Sequence, residues 1–170
     1  IEELPDRLAI VGGGYIATEL AHVFNAFGCD VVMLVRSNTL LPQEDISIQE
    51  RFTKVFSDRI DVRFGVTIGK VRHKGEVIVC EYEDNGERIL EVDTLLIATG
   101  RVPDLEVLNI EAAGIKAKDG YIVTDKFMRT SVDNIWALGD VTNPNQLKHA
   151  ANAEARIVSH NPVSYTHLRA

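Results

Sequence analysis

A glycine-rich segment, Gly12-Gly13-Gly14-Tyr15-Ile16-Ala17, follows a short apolar run and precedes a segment with helical periodicity. It fits the pattern G-x-G-x-x-A, with Gly12, Gly14 and Ala17 at the three key places. The first glycine allows a tight turn, the second leaves no Cβ in the way of a pyrophosphate, and a small third residue lets helix pack on strand. Free N–H groups at a helix start attract an anion. The segment is therefore predicted to bind a dinucleotide, and a tight turn without a ligand is the alternative.

The residue after the second apolar run indicates which dinucleotide binds. A carboxylate there would accept a hydrogen bond from the ribose 2′-hydroxyl of NAD, whereas an arginine accommodates the 2′-phosphate of NADP. Arg36 occupies this position, and Ser37 and Asn38 follow it as further donors. Because a guanidinium group binds phosphate through two parallel hydrogen bonds, the sequence favours NADPH. A solvated surface arginine is the alternative interpretation of Arg36.

The elements that position these residues follow from hydrophobic periodicity. Apolar runs predict strands at 8–11, 30–35 and 60–64, and helical spacing predicts helices at 15–27 and 46–56. Gly28 is the predicted stop signal of the first helix. This order is βαβαβ, the mononucleotide-binding half of a doubly wound parallel sheet.

The chain changes character after the third predicted strand. Residues 66–92 alternate between apolar and polar and contain a hairpin signal at Asp84-Asn85-Gly86, which predicts a small antiparallel meander. Another buried strand is predicted at 94–98, with a domain boundary at 101–103. Beyond the boundary, short strands are predicted at 121–124 and 135–138. The predicted fold class is α/β, a Rossmann-like doubly wound parallel sheet with a small meander.

The composition excludes several kinds of partner. The 170 residues carry 18 Lys and Arg against 25 Asp and Glu, a net charge of −7, which is not the basic footprint of a nucleic-acid binder. No apolar run approaches the roughly 20 residues of a membrane span, and the acidic start is not a signal peptide. The two cysteines, Cys29 and Cys80, form neither a CxxC motif nor a metal knuckle. We expect both to be buried, in a reducing, cytoplasmic protein without a metal site.

Three blocks of the sequence resemble the class I pyridine nucleotide–disulfide oxidoreductases. They are the glycine loop, the run Ala98-Thr99-Gly100-Arg101, and residues 130–140, an apolar strand that ends in Gly139-Asp140. The last block is the most specific, because a strand ending in Gly-Asp is the second flavin motif of this family. Without the family, an ordinary turn at the end of a strand would be the preferred interpretation.

The resemblance runs from Leu4 to about Asn161 and implies a division of the chain by cofactor. Residues 1–102 are expected to form the NAD(P)-binding domain, and residues 103–162 the C-terminal part of an FAD-binding domain. The last eight residues, 163–170, are similar to one reading frame of a sequencing adapter and are interpreted as a scar. On this interpretation the natural enzyme continues beyond Pro162.

The resemblance also implies roles toward the flavin. Asp140, after Gly139, would accept a hydrogen bond from the ribityl chain, and Gly100 and Arg101 are expected to bind cofactor as well. The segment Leu147-Lys148-His149 should open a helix whose first amides face the flavin. His149 is expected to orient or pack rather than to act as a general acid.

Two further residues are assigned roles by resemblance. Tyr15 would cover the flavin until nicotinamide displaces it, and Glu19 would pair with a lysine supplied from outside this chain. The two lie four positions apart and hence on one helical face. One departure affects the choice of cofactor, because some NADPH-using relatives have a second arginine where this chain has Pro42 or Gln43.

Within the family the likeness is greatest to the mycothione reductases, through the strings 19–24, 49–53 and 147–156. The reaction implied is hydride transfer from NADPH to FAD, followed by reduction of a protein disulfide and then of a small disulfide substrate such as mycothione. The parent is expected to be a homodimer. The redox cysteine pair and the catalytic histidine of the family are not in this chain, so we expect the fragment to be inactive. A dihydrolipoamide dehydrogenase-like enzyme using NAD, a flavin reductase for other acceptors, and a non-enzymatic dinucleotide-binding module are the alternatives.

Overall fold

The computed structural model describes residues 3–161, and the chain divides into two compact units between Gly100 and Arg101. The division lies two residues before the predicted boundary at 102/103. The assignment of one cofactor to each unit stays a prediction. The stretch interpreted as a scar lies outside the described residues.

The first unit is built on a parallel sheet. Its elements in chain order are β1 (Arg7–Val11), α1 (Tyr15–Ala26), β2 (Asp30–Val35), α2 (Ile46–Ser57), β3 (Asp61–Phe64), β4 (Thr67–Lys74), β5 (Val77–Glu83), β6 (Glu87–Val92) and β7 (Thr94–Ile97). The parallel strands have the order β3-β2-β1-β7. The predicted Rossmann-like α/β fold is confirmed, and Gly28, with φ +96°, ends α1 as expected.

The two faces of this sheet have different coverings. Leu8, Ile10 and Met33 pack with residues of α1 and α2, whereas Ala9 and Leu34 pack with residues of the meander. Alternate residues of a strand point to opposite faces, so a fully apolar run such as β2 can serve both. The meander therefore covers one face, where other doubly wound domains have helices.

The meander has the predicted antiparallel order β4-β5-β6. The predicted turn at 84–86 joins β5 to β6, and Asn85 and Gly86 both have positive φ there, as a tight hairpin requires. The Arg63 guanidinium of β3 donates to the buried Tyr82 hydroxyl of β5, which links the meander to the main sheet.

The second unit has little regular structure among its described residues. It contains a single helical turn, α3 (Leu105–Leu108), a short hairpin of β8 (Ala117–Lys118) and β9 (Tyr121–Ile122), and a final helix, α4 (Lys148–His160). A 3-10 turn at Gly139–Val141 precedes α4. The predicted opening of a helix after Leu147 is confirmed.

Two strand predictions in the second unit need correction. The strand predicted at 121–124 covers only Tyr121–Ile122, and residues 135–138 form no strand. Trp136 makes a single antiparallel bridge with Arg129, and the N–H of Ala137 donates to the carbonyl of Met128 at 3.1 Å. An apolar run becomes a strand only where a neighbour supplies a continuous ladder, and within the described residues 135–138 has one short neighbour.

Candidate functional site

The predicted nucleotide-binding residues of the first unit meet at one edge of its sheet. Parallel strands end at a common edge, and in open α/β sheets ligands bind beyond these carboxyl ends. The glycine loop follows β1, Arg36 follows β2, Gly65 follows β3 and residues 98–100 follow β7. Because β1 is a central strand with a neighbour on either side, the glycine loop lies in the middle of this edge.

Gly12 is required by a close approach of two chain segments. Its φ is +129°, a conformation that L side chains rarely adopt, and a Cβ there would lie 2.3 Å from the carbonyl oxygen of Ala98. Its N–H donates to the carbonyl of Leu34 at 3.0 Å. The first glycine therefore serves packing against the residue after β7 as well as the turn.

Gly14 has different surroundings from those of Gly12. Beyond its two chain neighbours, no heavy atom lies within 4 Å of the position that its Cβ would take, and its φ of −81° is ordinary. Gly14 is the N-cap of α1, and it offers no side chain to the first amides of that helix. Ala17, one turn later, is fully buried in the core beside Leu8 and Ile10. The open space above Gly14 and the start of the α1 helix together suit an anionic group.

Gly13 connects the glycine loop to the chain that follows β2. Its carbonyl accepts a hydrogen bond from the N–H of Leu41 at 2.7 Å. A Cβ on Gly13 would lie 2.7 Å from Cγ1 of Val35, so a larger residue would require that side chain to move. Ile16, the remaining variable position of the motif, is half-buried at the start of α1.

Arg36 is exposed, and its guanidinium forms no ion pair with any described residue. The Ser37 hydroxyl donates to the carbonyl of Thr39 at 2.6 Å, so its proton is already engaged within the loop. Asn38 is exposed near Gly65. Of the predicted phosphate donors, Arg36 and Asn38 thus face solvent, whereas Ser37 stabilises the loop that carries them.

Tyr15 and Glu19 lie along a groove between α1 and α2. The groove has a volume of about 520 Å³ and is lined mostly by apolar groups, including Phe52 and Phe56. Both residues are exposed and share one face of α1, as their spacing predicts. Their roles toward nicotinamide and flavin stay predictions.

In the second unit, Arg101 and Asp140 form an ion pair. Nη1 of Arg101 lies 3.1 Å from Oδ2 of Asp140, and Nη2 donates to the carbonyl of Gln146 at 2.6 Å. Arg101 therefore ties the start of this unit to both ends of the segment 140–146. The pair is about half exposed, so we expect it to orient the segment more than to stabilise the fold.

Glu154 of α4 contacts the predicted flavin-binding turn, a contact that was not predicted from the sequence. One carboxylate oxygen accepts from the N–H of Gly139 at 2.7 Å, and the other accepts from the side-chain amide of Asn143 at 3.1 Å. Gly139 is buried and has a φ of +81°. Glu154 is part of the string 147–156, but nothing in its local pattern indicates that it returns to the Gly139–Asp140 turn.

The start of α4 is exposed to solvent. Leu147 is its N-cap and supplies no side-chain hydrogen bond, and no carboxylate lies in the first turn. Leu147, Lys148 and His149 are all exposed. This helix start can accept an anionic or carbonyl group, as predicted for the flavin, but that role stays a prediction.

The two cysteines are buried and unpaired, as expected. Cys29 packs on the helix side of the sheet and Cys80 on the meander side, so they cannot form a disulfide with each other. Burial raises the pKa of both thiols, with the Asp30 charge adding to the effect at Cys29. The described residues contain no cluster of potential metal ligands and no helix long and apolar enough to cross a membrane.

Comparison with known proteins extends this description. A family model described as pyridine nucleotide-disulphide oxidoreductase matches residues 1–156. A mycothione reductase of Mycobacterium tuberculosis is 41% identical over 161 residues, which are 95% of this chain and 35% of that protein. A glutathione reductase of Yarrowia lipolytica is 39% identical over 163 residues, which are 94% of this chain and 35% of that protein. The chain thus spans roughly a third of the length of these relatives.

A solved structure agrees with the family match. The HOCl-induced flavoprotein disulfide reductase RclA from Escherichia coli is similar with a TM-score of 0.87 at 34% identity, over 99% of this chain and 39% of that one. The family model covers most of the present sequence and includes both the glycine loop and the Gly139–Asp140 turn. The chain therefore belongs to the pyridine nucleotide-disulphide oxidoreductase family.

Proposed function

We propose that this chain is the NADPH-binding part, with an adjoining part of the flavin-binding domain, of an FAD-dependent disulfide reductase. The observation that carries the proposal is the open space at Gly14. This residue lies at the start of α1, in the middle of the sheet edge formed by the carboxyl ends of the parallel strands. Arg36 lies at the same edge with its guanidinium in solvent. A pyrophosphate at the glycine loop and a 2′-phosphate at Arg36 fit this arrangement.

The chain's own contribution to the proposed reaction is to bind and orient. The amides at the start of α1 hold the pyrophosphate, and Arg36 holds the 2′-phosphate, which fixes the nicotinamide end of the molecule. When bound, FAD would accept the hydride and pass two electrons to a protein disulfide. In the second unit, Asp140 and the start of α4 are the groups proposed to hold FAD. Tyr15 and Glu19 are proposed to shape the place where nicotinamide meets flavin.

The substrate and setting are proposed from the relatives. A mycothione reductase and a glutathione reductase are among the similar proteins, which supports a low-molecular-weight disulfide such as mycothione as the substrate of the parent enzyme. We propose a homodimeric parent. We also propose a cytoplasmic location, which is supported by two buried cysteines that form no disulfide.

Replacing Arg36 tests the choice of cofactor. Arg36→Ala should weaken NADP⁺ binding by about 10- to 100-fold, since a charge-assisted hydrogen bond contributes about 1.5–3 kcal/mol. NAD⁺ binding should barely change, because NAD⁺ has no 2′-phosphate. Fluorescence titration with both nucleotides gives the two dissociation constants. Arg51→Ala, which removes an exposed charge from α2, is the matched control and should leave both unchanged.

The opposite result would favour the dihydrolipoamide dehydrogenase-like alternative. That enzyme class is represented among the relatives by a dihydrolipoyl dehydrogenase of Halobacterium salinarum, 35% identical to this chain. Pro42 and Gln43, where some NADPH-using relatives have a second arginine, are the observation that supports it. NAD⁺ binding tighter than NADP⁺ binding in the unmodified chain would favour this alternative over the NADPH-dependent enzyme.

The purified 170-residue chain should bind NADPH weakly, bind FAD poorly and reduce no disulfide. Its two cysteines are buried on opposite faces of the sheet, so no dithiol is available to pass electrons on. The measurement is NADPH oxidation at 340 nm with mycothione disulfide or glutathione disulfide and added FAD. Turnover above a no-protein control would contradict the proposal that this chain binds and orients the cofactor but does not itself reduce the disulfide.

A further inference from the structure

The loop of residues 37–45 connects β2 to α2 and begins directly after Arg36. It is held in an unusual conformation for its sequence. Leu40 is fully buried, and Leu41 has a φ of +52°, in the left-handed region that non-glycine residues seldom occupy. Such a conformation is strained and persists only where the surroundings impose it.

Gln49 of α2 is one of the groups that impose it. Its side-chain carbonyl accepts from the hydroxyl of Thr39 at 2.8 Å. Its side-chain amide donates to the carbonyl of Glu44 at 2.8 Å and to the carbonyl of Pro42 at 3.3 Å. One amide group thus bonds to three residues of the loop, and both of its N–H groups are used.

Thr53, one helical turn after Gln49, completes the attachment. Its hydroxyl oxygen accepts from the N–H of Leu40 at 2.9 Å. Residues four apart on a helix lie on one face, so Gln49 and Thr53 present a continuous row of polar atoms to the loop. The next N–H along the chain, that of Leu41, donates to the carbonyl of Gly13. The polar row on α2 is therefore linked to the glycine loop through two adjacent residues, Leu40 and Leu41.

We propose that Gln49 and Thr53 are positioning residues for cofactor selection, which hold the loop so that Arg36 meets the 2′-phosphate. The inference rests on the proposed NADPH-binding function. Arg36 has no ion pair with a described residue, so the backbone on either side fixes its place. An ordered loop binds a phosphate with a smaller entropic cost than a loop that must be ordered on binding.

The same geometry gives a structural role to residues 49–53, which the sequence identified only by their likeness to the mycothione reductases. Residues 49–53, Gln-Glu-Arg-Phe-Thr, begin and end with the two attaching side chains. Phe52 lies between them and packs against the core on the helix side of the sheet. The string therefore combines an anchor in the core with a polar row toward the loop.

The experiment compares NADP⁺ and NAD⁺ binding across four variants of the chain. Thr53→Val keeps the shape of the side chain and removes the acceptor for Leu40, whereas Thr53→Ser restores a hydroxyl. Gln49→Ala removes the three side-chain hydrogen bonds, and Ser57→Ala is a control on the same helix. Thr53→Val should reduce the preference for NADP⁺ over NAD⁺ by about 3- to 10-fold, the range expected for one lost hydrogen bond. Gln49→Ala, which removes three hydrogen bonds to the same loop, should reduce it by at least as much. Thr53→Ser and Ser57→Ala should retain the preference.

The outcomes separate this inference from the function on which it rests. If the unmodified chain shows no preference for NADP⁺, both the proposed NADPH use and the positioning role are wrong. If Arg36→Ala removes the preference but Thr53→Val and Gln49→Ala retain it, only the positioning role is overturned. Amide hydrogen exchange of Leu40 gives a ligand-free reading, since its N–H should lose protection in Thr53→Val and keep it in Thr53→Ser. Should Gln49→Ala fail to fold, the Thr53 pair alone decides.

Discussion

Gly12→Ala should strongly destabilise the first unit, whereas Gly14→Ala should leave it folded but weaken dinucleotide binding. At Gly12 the new methyl group would lie 2.3 Å from the Ala98 carbonyl oxygen, and the φ of +129° would be strained for alanine. Overpacking and backbone strain each cost about 1–3 kcal/mol, a combined loss of several kcal/mol. A loss of that size lowers the Tm of a domain of this length by about 10–25 °C.

At Gly14 the same substitution meets no obstacle within the protein. The φ of −81° suits alanine, and the methyl group would enter open space. Alanine is a poorer N-cap than glycine, which costs about 1 kcal/mol or less. The methyl group would occupy the space proposed for the pyrophosphate, so NADPH affinity should fall at least about tenfold, which corresponds to about 1.4 kcal/mol.

The two glycine variants are controls for each other. Thermal unfolding followed by circular dichroism gives the Tm, and NADPH fluorescence titration gives the affinity. If Gly12→Ala has the same Tm as the unmodified chain, the contact with Ala98 relaxes without a cost in stability. A Gly14→Ala protein that binds NADPH normally would show that the pyrophosphate lies elsewhere.

Glu154→Ala should release the Gly139–Asp140 turn from α4. The substitution leaves the buried N–H of Gly139 without its 2.7 Å partner and removes the acceptor for Asn143. An unsatisfied buried donor costs about 1–3 kcal/mol, so the protection of the Gly139 amide against hydrogen exchange should fall by about 5- to 150-fold. Amide exchange measured by NMR checks this directly and requires no bound flavin.

Glu154→Gln separates the two hydrogen bonds of this residue. Its side-chain carbonyl can still accept from Gly139, whereas its amide cannot accept from Asn143. We therefore expect most of the protection of Gly139 to return. Glu111→Ala removes an exposed carboxylate from the same unit and should have no effect. Unchanged Gly139 protection in Glu154→Ala would mean that the turn is held without α4.

The helices and strands of the first unit, and the glycine loop after β1, could be predicted from local patterns in the amino-acid sequence. Periodicity fixed the strands and helices from β1 to β3, because burial on one or both faces imposes a repeat of two or of 3.6 residues. The Asn85-Gly86 pair identified the hairpin and Gly28 the end of α1, because positive φ is a local requirement. The G-x-G-x-x-A pattern identified the turn after β1 for the same reason.

Contacts between residues far apart in the chain could not be predicted and are known only from the structure. Local patterns carry no information on which residues meet across the chain, so neither the carbonyl of Ala98 against Gly12 nor the carboxylate of Glu154 against Gly139 could be anticipated. The same limit explains the error at 135–138, where an apolar run found no second neighbour among the described residues to complete a ladder. It also explains why residues 49–53 gained a role only when Gln49 and Thr53 were seen to contact the loop after Arg36. Periodicity follows from burial along one element, whereas the position of a loop depends on hydrogen bonds from another.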